Sequence, residues 1–308
     1  MIHLYNTYDI EQEEPTVVVI GNFDGVHRGH QKLFEVAKQN SEGRRIVALS
    51  FTPHPSWVIS NDPKQMIMRT YDKRNKMNQC GVDVYIQYPF TLEFSKTDPE
   101  VFFEEILVKQ LKAKVVVVGQ DYHFGKEQQG NIEFMQSFAN KFNVKLCAVK
   151  KVFIDGEAIS STKIRNLICE GNLQEAKELL GEDYVVSGAV VEGKKLGRQI
   201  GFPTANILAR EGVLYPPNGV YATKARVNKQ DYLGITNIGC NPTVGGIIKT
   251  IETNIFDFNE DIYNEHIVLT FYKFIRPEKT FKGVPELIEQ ITQDKQKVAQ
   301  LNSIYCYV

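Results

Sequence analysis

Apolar and polar positions follow two different rhythms along this chain. In the first half, the short runs Val17–Ile20, Ile46–Phe51, Val84–Ile86, Val115–Val118 and Val144–Val149 are apolar nearly throughout. Strands covered on both faces read this way. Between them lie helical patterns such as Gln31–Gln39 and Pro99–Leu111, the latter with Phe102, Phe103, Ile106, Leu107 and Leu111 on one side. Alternating strand and helix predicts an α/β fold with a doubly wound parallel sheet, whose ligands sit beyond the carboxyl ends of the strands.

Ser160–Leu180 predicts two short helices, split at Gly171-Asn172 and stopped by Gly181. After Tyr184 the texture changes. Val185–Val191, Gly219–Val227, Tyr232–Ile238, Lys249–Phe258 and His266–Phe274 are strand-like runs separated by Gly, Pro and Asn turns. That pattern predicts an antiparallel barrel or sandwich, closed by one amphipathic helix over about Val284–Leu301. A boundary near Gly181–Asp183 divides the chain into domains 1–182 and 183–308.

The bulk numbers narrow the class. The 308 residues are 43% hydrophobic and 24% charged, with 36 basic against 37 acidic side chains, which is soluble globular composition. A net charge of −1 supplies no basic field for nucleic acid, so any phosphate recognition must be local. The five cysteines are scattered without metal or disulfide spacing. No apolar run reaches the roughly 20 residues of a membrane helix, and the amino terminus does not read as a signal peptide. The expectation is a cytoplasmic protein with no nucleic-acid or membrane partner; the oligomeric state is not legible.

Two glycine-rich segments of different design carry the chemistry. The first, Gly21-Asn22-Phe23-Asp24-Gly25-Val26-His27-Arg28-Gly29-His30, follows a buried strand and opens a helix. Backbone N–H groups at a helix start attract anions, and Gly25 and Gly29 would let a phosphate approach the main chain. His27 and His30, three apart, can face one side and donate hydrogen bonds to phosphate oxygens. Alone, the pair could equally be surface histidines; a zinc reading lacks further ligands. Four of the six histidines, however, lie in segments that follow strands: these two, His54 in Phe51-Thr52-Pro53-His54-Pro55, and His123 in Gly119-Gln120-Asp121-Tyr122-His123-Phe124-Gly125. Ser160, Ser161, Thr162, Lys163 and Arg165 place hydroxyls and cations at another helix start, which could also be an ordinary cap.

In the second segment Gly193, Gly197 and Gly201 recur every four residues among Lys194, Lys195 and Arg198. It is not a Walker A loop, and by itself it could be a surface turn. Phe202-Pro203-Thr204-Ala205-Asn206 then offers a hydroxyl and an amide two residues apart, suited to part of a Mg²⁺ shell. Glu252 would share a strand face with Asn254 and Phe256. A carboxylate there is usually solvated, yet phosphoryl transfer to an alcohol requires a base.

Taken together, the chain resembles the prokaryotic bifunctional riboflavin kinase/FMN adenylyltransferase (FAD synthetase) family over nearly its whole length. GNFDGVHRGH, FTPHP, VGQDYHFG and ISSTKIR occur in the order of the nucleotidyltransferase half. GKKLGRQIGFPTANI, PPNGVYA, TNIGCNPTVGG, IETNIFDF with DIY, and FIRPEKTF match the kinase half. The resemblance implies a nucleotidyltransferase-like Rossmann domain followed by a six-stranded antiparallel β-barrel with a C-terminal helix. It implies ATP-phosphate roles for Gly21, Asn22, Phe23, Gly25, His27, His30, Ser161, Thr162 and Arg165, and likewise for Gly193, Lys195, Gly197 and Gly201. Flavin contacts would come from Pro53, Pro55, Asp121, Phe124 and Arg276, Mg²⁺ ligands from Thr204 and Asn206, and the catalytic base from Glu252. Substrates and products would be riboflavin, FMN, FAD, ATP and ADP, with Mg²⁺ as cofactor. Two departures stand out: His123 where many members carry Arg, and Asn254 where the family often has His. The competing readings are an enzyme with one dead half and a regulatory flavin- or nucleotide-binding protein; both conflict with the intact His27, His30, Thr204, Asn206 and Glu252. A dehydrogenase lacks its GxGxxG here.

Overall fold

The computed structural model describes residues 1–60, 63–125, 130–193, 196–243 and 246–305, the side chains of 241–243, 246–248 and 302–305 excepted. Contacts divide the chain into two compact units, Met1–Met66 with Thr70–Ser161, and Ile67–Arg69 with Thr162–Val308. The division falls ahead of the 182/183 boundary expected from sequence texture. The helical segment after Ser161 packs with the second unit.

The first unit is built on a six-stranded, all-parallel sheet of β1 (Ile2–Tyr5), β2 (Thr16–Ile20), β3 (Arg45–Thr52), β4 (Val84–Pro89), β5 (Ala113–Gly119) and β6 (Lys145–Val149). Their order is β1-β4-β3-β2-β5-β6. Every residue of β2 is buried, which is why its sequence is an unbroken apolar run. The chain runs from β2 outward to β3 and β4, then returns to β2's other side for β5 and β6. The carboxyl end of β2 therefore lies at the topological switch point, where open sheets bind ligands. Connecting helices are α1 (Arg28–Gln39), α2 (Pro55–Ser60), α3 (Thr70–Gln79), α4 (Pro99–Val101, continuing as a π-helix over Phe102–Gln110) and α5 (Ile132–Lys141). Phe102, Phe103, Ile106 and Leu107 pack against Val18, Ile20, Val116 and Val118 in one core. Side chains start the helices: Asp98 accepts from Glu100 N–H at 2.8 Å, and Asn131 from Phe134 N–H at 2.8 Å. A two-stranded hairpin, β7 (Phe153–Ile154) with β8 (Glu157–Ala158), ends the unit.

The second unit begins with α6 (Ser161–Glu170) and α7 (Leu173–Leu180), the latter closed by Gly181 at φ 83°. It continues as β9 (Tyr184–Val191), α8 (Leu196–Gln199), β10 (Ala205–Leu208), β11 (Gly219–Val227), β12 (Gln230–Thr243), β13 (Gly246–Ile255), β14 (His266–Arg276) and α9 (Val284–Tyr305). The six strands close into an antiparallel barrel, β10-β13-β12-β11-β14-β9, which selects the barrel over the sandwich. Inside it, the fully buried hydroxyls of Thr223, Thr236 and Thr253 form a chain of 2.8 Å hydrogen bonds. Residues alternate across a strand. With Ile251, Thr253 and Ile255 inward, Glu252, Asn254 and Phe256 face out. There α9 lays Val298 against Val220, Ala222, Ile235 and Phe256.

Candidate functional sites

The first loop leaves β2 and turns tightly before α1. Phe23 takes a left-handed conformation (φ 51°), followed by Gly25 at φ 78°. The Phe23 ring is fully buried and meets His30 edge-on at 5.5 Å and Phe34 at 5.0 Å. Gly21 leaves room for that ring, since a Cβ there would lie 3.0 Å from it. His27 caps α1, its Nδ1 accepting from His30 N–H at 3.4 Å, and the two imidazoles stack with centroids 3.7 Å apart and planes 16° from parallel. The histidines thus face one side as a stacked pair. Gly29 serves that stack: a Cβ would meet His27 Cε1 and Nδ1 at 3.1 Å. Its bareness accommodates the imidazole.

Burial is the largest cause holding the His30 pKa well below 6.5, with the nearby His27 and Lys73 adding to it. Its ring is therefore neutral at pH 7, and its Nδ1 is buried with no hydrogen-bond partner. Ser161 Oγ donates to the Asp24 carbonyl at 3.0 Å, bringing the ISSTKIR segment's second hydroxyl to this loop. Thr162 and Arg165 belong to the second unit. Lys73 was missed from sequence. It lies on α3, 5% exposed, and its Nζ donates to the Asn22 carbonyl at 2.8 Å.

Pro53 and Pro55 bracket His54 after β3, with the Thr52–Pro53 bond cis and Pro55 opening α2. His54 Nδ1 accepts from Ser56 N–H at 3.2 Å. Near the carboxyl ends of β3 and β4, Phe51, Phe90, Phe94 and Phe102 form an aromatic cluster with centroids 5.5–6.4 Å apart. Phe124 joins it at 5.5 Å from Phe102 and is buried. Its ring is a core group, so in this structure it offers a ligand little face. Asp121 is exposed and pairs with Lys151 at 3.0 Å, a contact worth little in water. His123 Nδ1 bonds the Asp121 carbonyl oxygen at 2.9 Å.

In the second unit, two cavities meet at Thr204. One of about 420 Å³ is lined by Gly193, Arg198, Thr204, Asn206, Glu260 and Tyr263 among others. The other, about 250 Å³, is lined by Thr204, Glu252, Asn254, Arg276, Phe281 and Asp294 among others. Strand register brings the chemistry together: Asn206 on β10 and Asn237 on β12 both lie directly opposite Glu252 on β13. Strand β10 is not among the strand-like runs that the sequence pattern predicts. Asn254 Nδ2 donates to the Pro203 carbonyl at 2.7 Å and so holds the segment carrying Thr204. Asn206 Nδ2 donates to the Thr204 carbonyl at 3.3 Å. Thr204 Oγ1 and Asn206 Oδ1 fit the partial oxygen shell of Mg²⁺, which takes its other ligands from water and phosphate. Among the described residues no group of three His, Cys, Asp or Glu gathers as a metal site.

Two glycines of this loop serve packing. A Cβ on Gly193 would lie 2.5 Å from Asn206 Nδ2, and one on Gly197 would collide with the Phe202 carbonyl oxygen. Gly201 adopts φ 85°. Lys195 lies outside the described residues. Arg276 is anchored from α9: its Nε donates to Asp294 Oδ2 at 2.8 Å and its Nη1 to the Pro277 carbonyl at 3.0 Å. Asp294, fully buried, was not legible in the sequence.

Comparison with known proteins also divides the chain in two. The family model described as FAD synthetase matches residues 9–163, and that described as riboflavin kinase matches residues 180–302. A bifunctional riboflavin kinase/FMN adenylyltransferase from Listeria monocytogenes is 43% identical, over 91% of this chain and 90% of its own length. Its namesake from Bacillus subtilis is 38% identical over 96% of both chains; that from Escherichia coli is 34% identical over 92% of this chain and 91% of its own. A crystal structure described as a macrolide-efflux protein from Streptococcus pneumoniae has a TM-score of 0.87 at 33% identity, covering 97% of this chain and 99% of that one. Among the described residues no helix is long and apolar enough to cross a membrane.

Proposed function

From the premise that this chain belongs to the bifunctional riboflavin kinase/FMN adenylyltransferase family, we infer that it makes FAD from riboflavin in two ATP-dependent steps. The C-terminal unit is a riboflavin kinase and the N-terminal unit an FMN adenylyltransferase. The observation that carries the kinase assignment is the juxtaposition of Glu252 with Thr204 and Asn206, where the two cavities meet.

In the kinase unit, the larger cavity takes ATP and the smaller takes riboflavin, bringing the 5′-hydroxyl to Glu252. The Glu252 carboxylate accepts the hydroxyl proton as the oxygen attacks the γ-phosphorus, and the bond to ADP breaks. Mg²⁺, when bound, would neutralise phosphate charge. Thr204 and Asn206 would hold it, Asn254 fixes the Pro203–Thr204 backbone, and Arg276 holds the flavin. The family resemblance assigns Gly193, Lys195, Gly197 and Gly201 to the ATP phosphates. In the transferase unit, a phosphate oxygen of FMN attacks the α-phosphorus of ATP and pyrophosphate leaves. FMN is already anionic, so the step needs alignment and charge stabilisation without a protein nucleophile. His27, His30, the Gly21–Gly25 loop and Ser161 supply donors to the phosphates. Pro53, Pro55, Asp121 and the aromatic cluster border the flavin.

The two sites separate by mutation. Glu252→Gln abolishes riboflavin phosphorylation and spares conversion of supplied FMN to FAD. His27→Ala with His30→Ala does the reverse. Retained kinase turnover in the first variant removes Glu252 from the base role; undiminished FAD formation in the second removes the histidine pair from phosphate handling.

A further inference from the structure

Helix α3 has no continuous apolar face, yet it buries three charged side chains, Asp72 (8% exposed), Lys73 (5%) and Lys76 (8%). Burying an ion is costly unless something compensates it. Asp72 and Lys76 have interaction partners of their own. The contacts of the Lys73 ammonium are of a different kind. One N–H donates to the Asn22 carbonyl at 2.8 Å, and the Tyr85 ring lies with its centroid 5.9 Å away. Neither is an anion, and an ammonium has three donors. A nearly dry cation therefore sits under the first glycine loop without a carboxylate among these contacts. Its charge is felt by His30, whose imidazole it helps keep neutral, and that imidazole keeps a buried, unpartnered Nδ1.

We propose that Lys73 is a positioning residue of the adenylyl-transfer site: its ammonium fixes the Asn22 peptide and supplies the buried positive charge against which the phosphates of ATP, and then pyrophosphate, are held beside His27 and His30. This rests on the adenylyltransferase reading of the first unit. The missing counter-charge is then the ligand's own. A neutral His30 imidazole gives a directional hydrogen bond but no charge, and a fixed cation shielded from water attracts a polyphosphate more strongly than it would in water. Tethering Lys73 to Asn22 also couples the charge to the backbone that the phosphates approach, so charge and loop cannot drift apart.

The test compares Lys73→Met, which keeps length and loses charge, with Lys73→Arg, which keeps charge. Pyrophosphate is the binding probe, and turnover is read with FMN, ATP and Mg²⁺. Lys73→Met should lower pyrophosphate affinity and kcat/KM for ATP in FAD formation by about 10- to 100-fold, the worth of a charged hydrogen bond. Riboflavin phosphorylation should be unchanged. Lys73→Arg should recover most of the loss. The His30 imidazole, followed by its Cε1 proton resonance, should titrate higher in Lys73→Met, because of the groups acting on it only His27 would remain. If Lys73→Met does not fold, Lys73→Gln carries the same comparison. Pyrophosphate binding and FAD formation within twofold of wild type in the charge-removed variant, or Lys73→Arg as impaired as Lys73→Met, overturns the proposal. A wild-type chain that makes no FAD overturns the transferase reading beneath it.

Discussion

Replacing Asp294 by Asn tests whether α9 is part of the kinase site or only a lid on the barrel. Asp294 is fully buried, with Oδ2 2.8 Å from Arg276 Nε and Oδ1 3.1 Å from Gln290 Nε2. The Arg276 side chain is 17% exposed. Removing one partner of a buried ion pair costs roughly 3–5 kcal/mol, mostly as the stranded charge. Asn keeps the size and one acceptor oxygen, and Arg276 retains some access to water, so about 2–3 kcal/mol is expected here. With a urea slope of about 2 kcal/mol per molar, the unfolding midpoint of the second unit should fall by roughly 1–1.5 M. The single tryptophan, Trp57, lies in the first unit. Its fluorescence therefore reports on that unit and should not shift, while far-UV circular dichroism reports both. KM for riboflavin should rise several-fold as Arg276 loses its anchor, and KM for FMN in FAD formation should stay put. A circular-dichroism midpoint within 0.2 M of wild type (about 0.4 kcal/mol at that slope), with riboflavin KM unchanged, would refute the reasoning.

Four shorter predictions accompany it. Because the folded-state pKa of His30 lies below its unfolded value near 6.5, its contribution to stability is full above that pH. It is lost as pH falls below, where the unfolded chain takes up a proton the folded chain resists; the urea midpoint of Trp57 fluorescence should drop between pH 7 and pH 5, and drop less in His30→Gln. Gly29→Ala, whose new methyl would press on His27 at 3.1 Å, should slow FAD formation and leave riboflavin phosphorylation intact, as a paired turnover assay will read. Gly197→Ala, which collides with the Phe202 carbonyl oxygen, should reverse that selectivity. Chelating divalent metal should stop riboflavin phosphorylation, and adding Mg²⁺ back should restore it.

The sequence made the parallel sheet legible because its central strands are buried on both faces: Val17–Ile20 could hardly be anything else. Edge strand β1 went unread because Ile2–Tyr5 is half exposed and polar at His3, so it lacks that signature. Strand β10 went unread for a different reason. It is four residues long, follows a proline, and becomes a strand only by pairing with both β9 and β13, a tertiary fact. Glu252, Thr204 and Asn206 could be picked out by residue type and strand alternation, but their approach depends on register, which sequence does not carry. Lys73 and Asp294 were invisible for a shared reason: a lysine or aspartate on a helix reads as solvated until packing shows it dry. Phe124 taught the converse, an aromatic residue in a loop motif whose ring packs into the core.

The most direct test of two working sites on one chain is a chromatographic time course of the purified protein with riboflavin, ATP and Mg²⁺. FMN should appear first and then give way to FAD, with pyrophosphate released in step with FAD. FMN that accumulates without FAD, under oxidising and reducing conditions alike, or no turnover of riboflavin at all, would contradict the account.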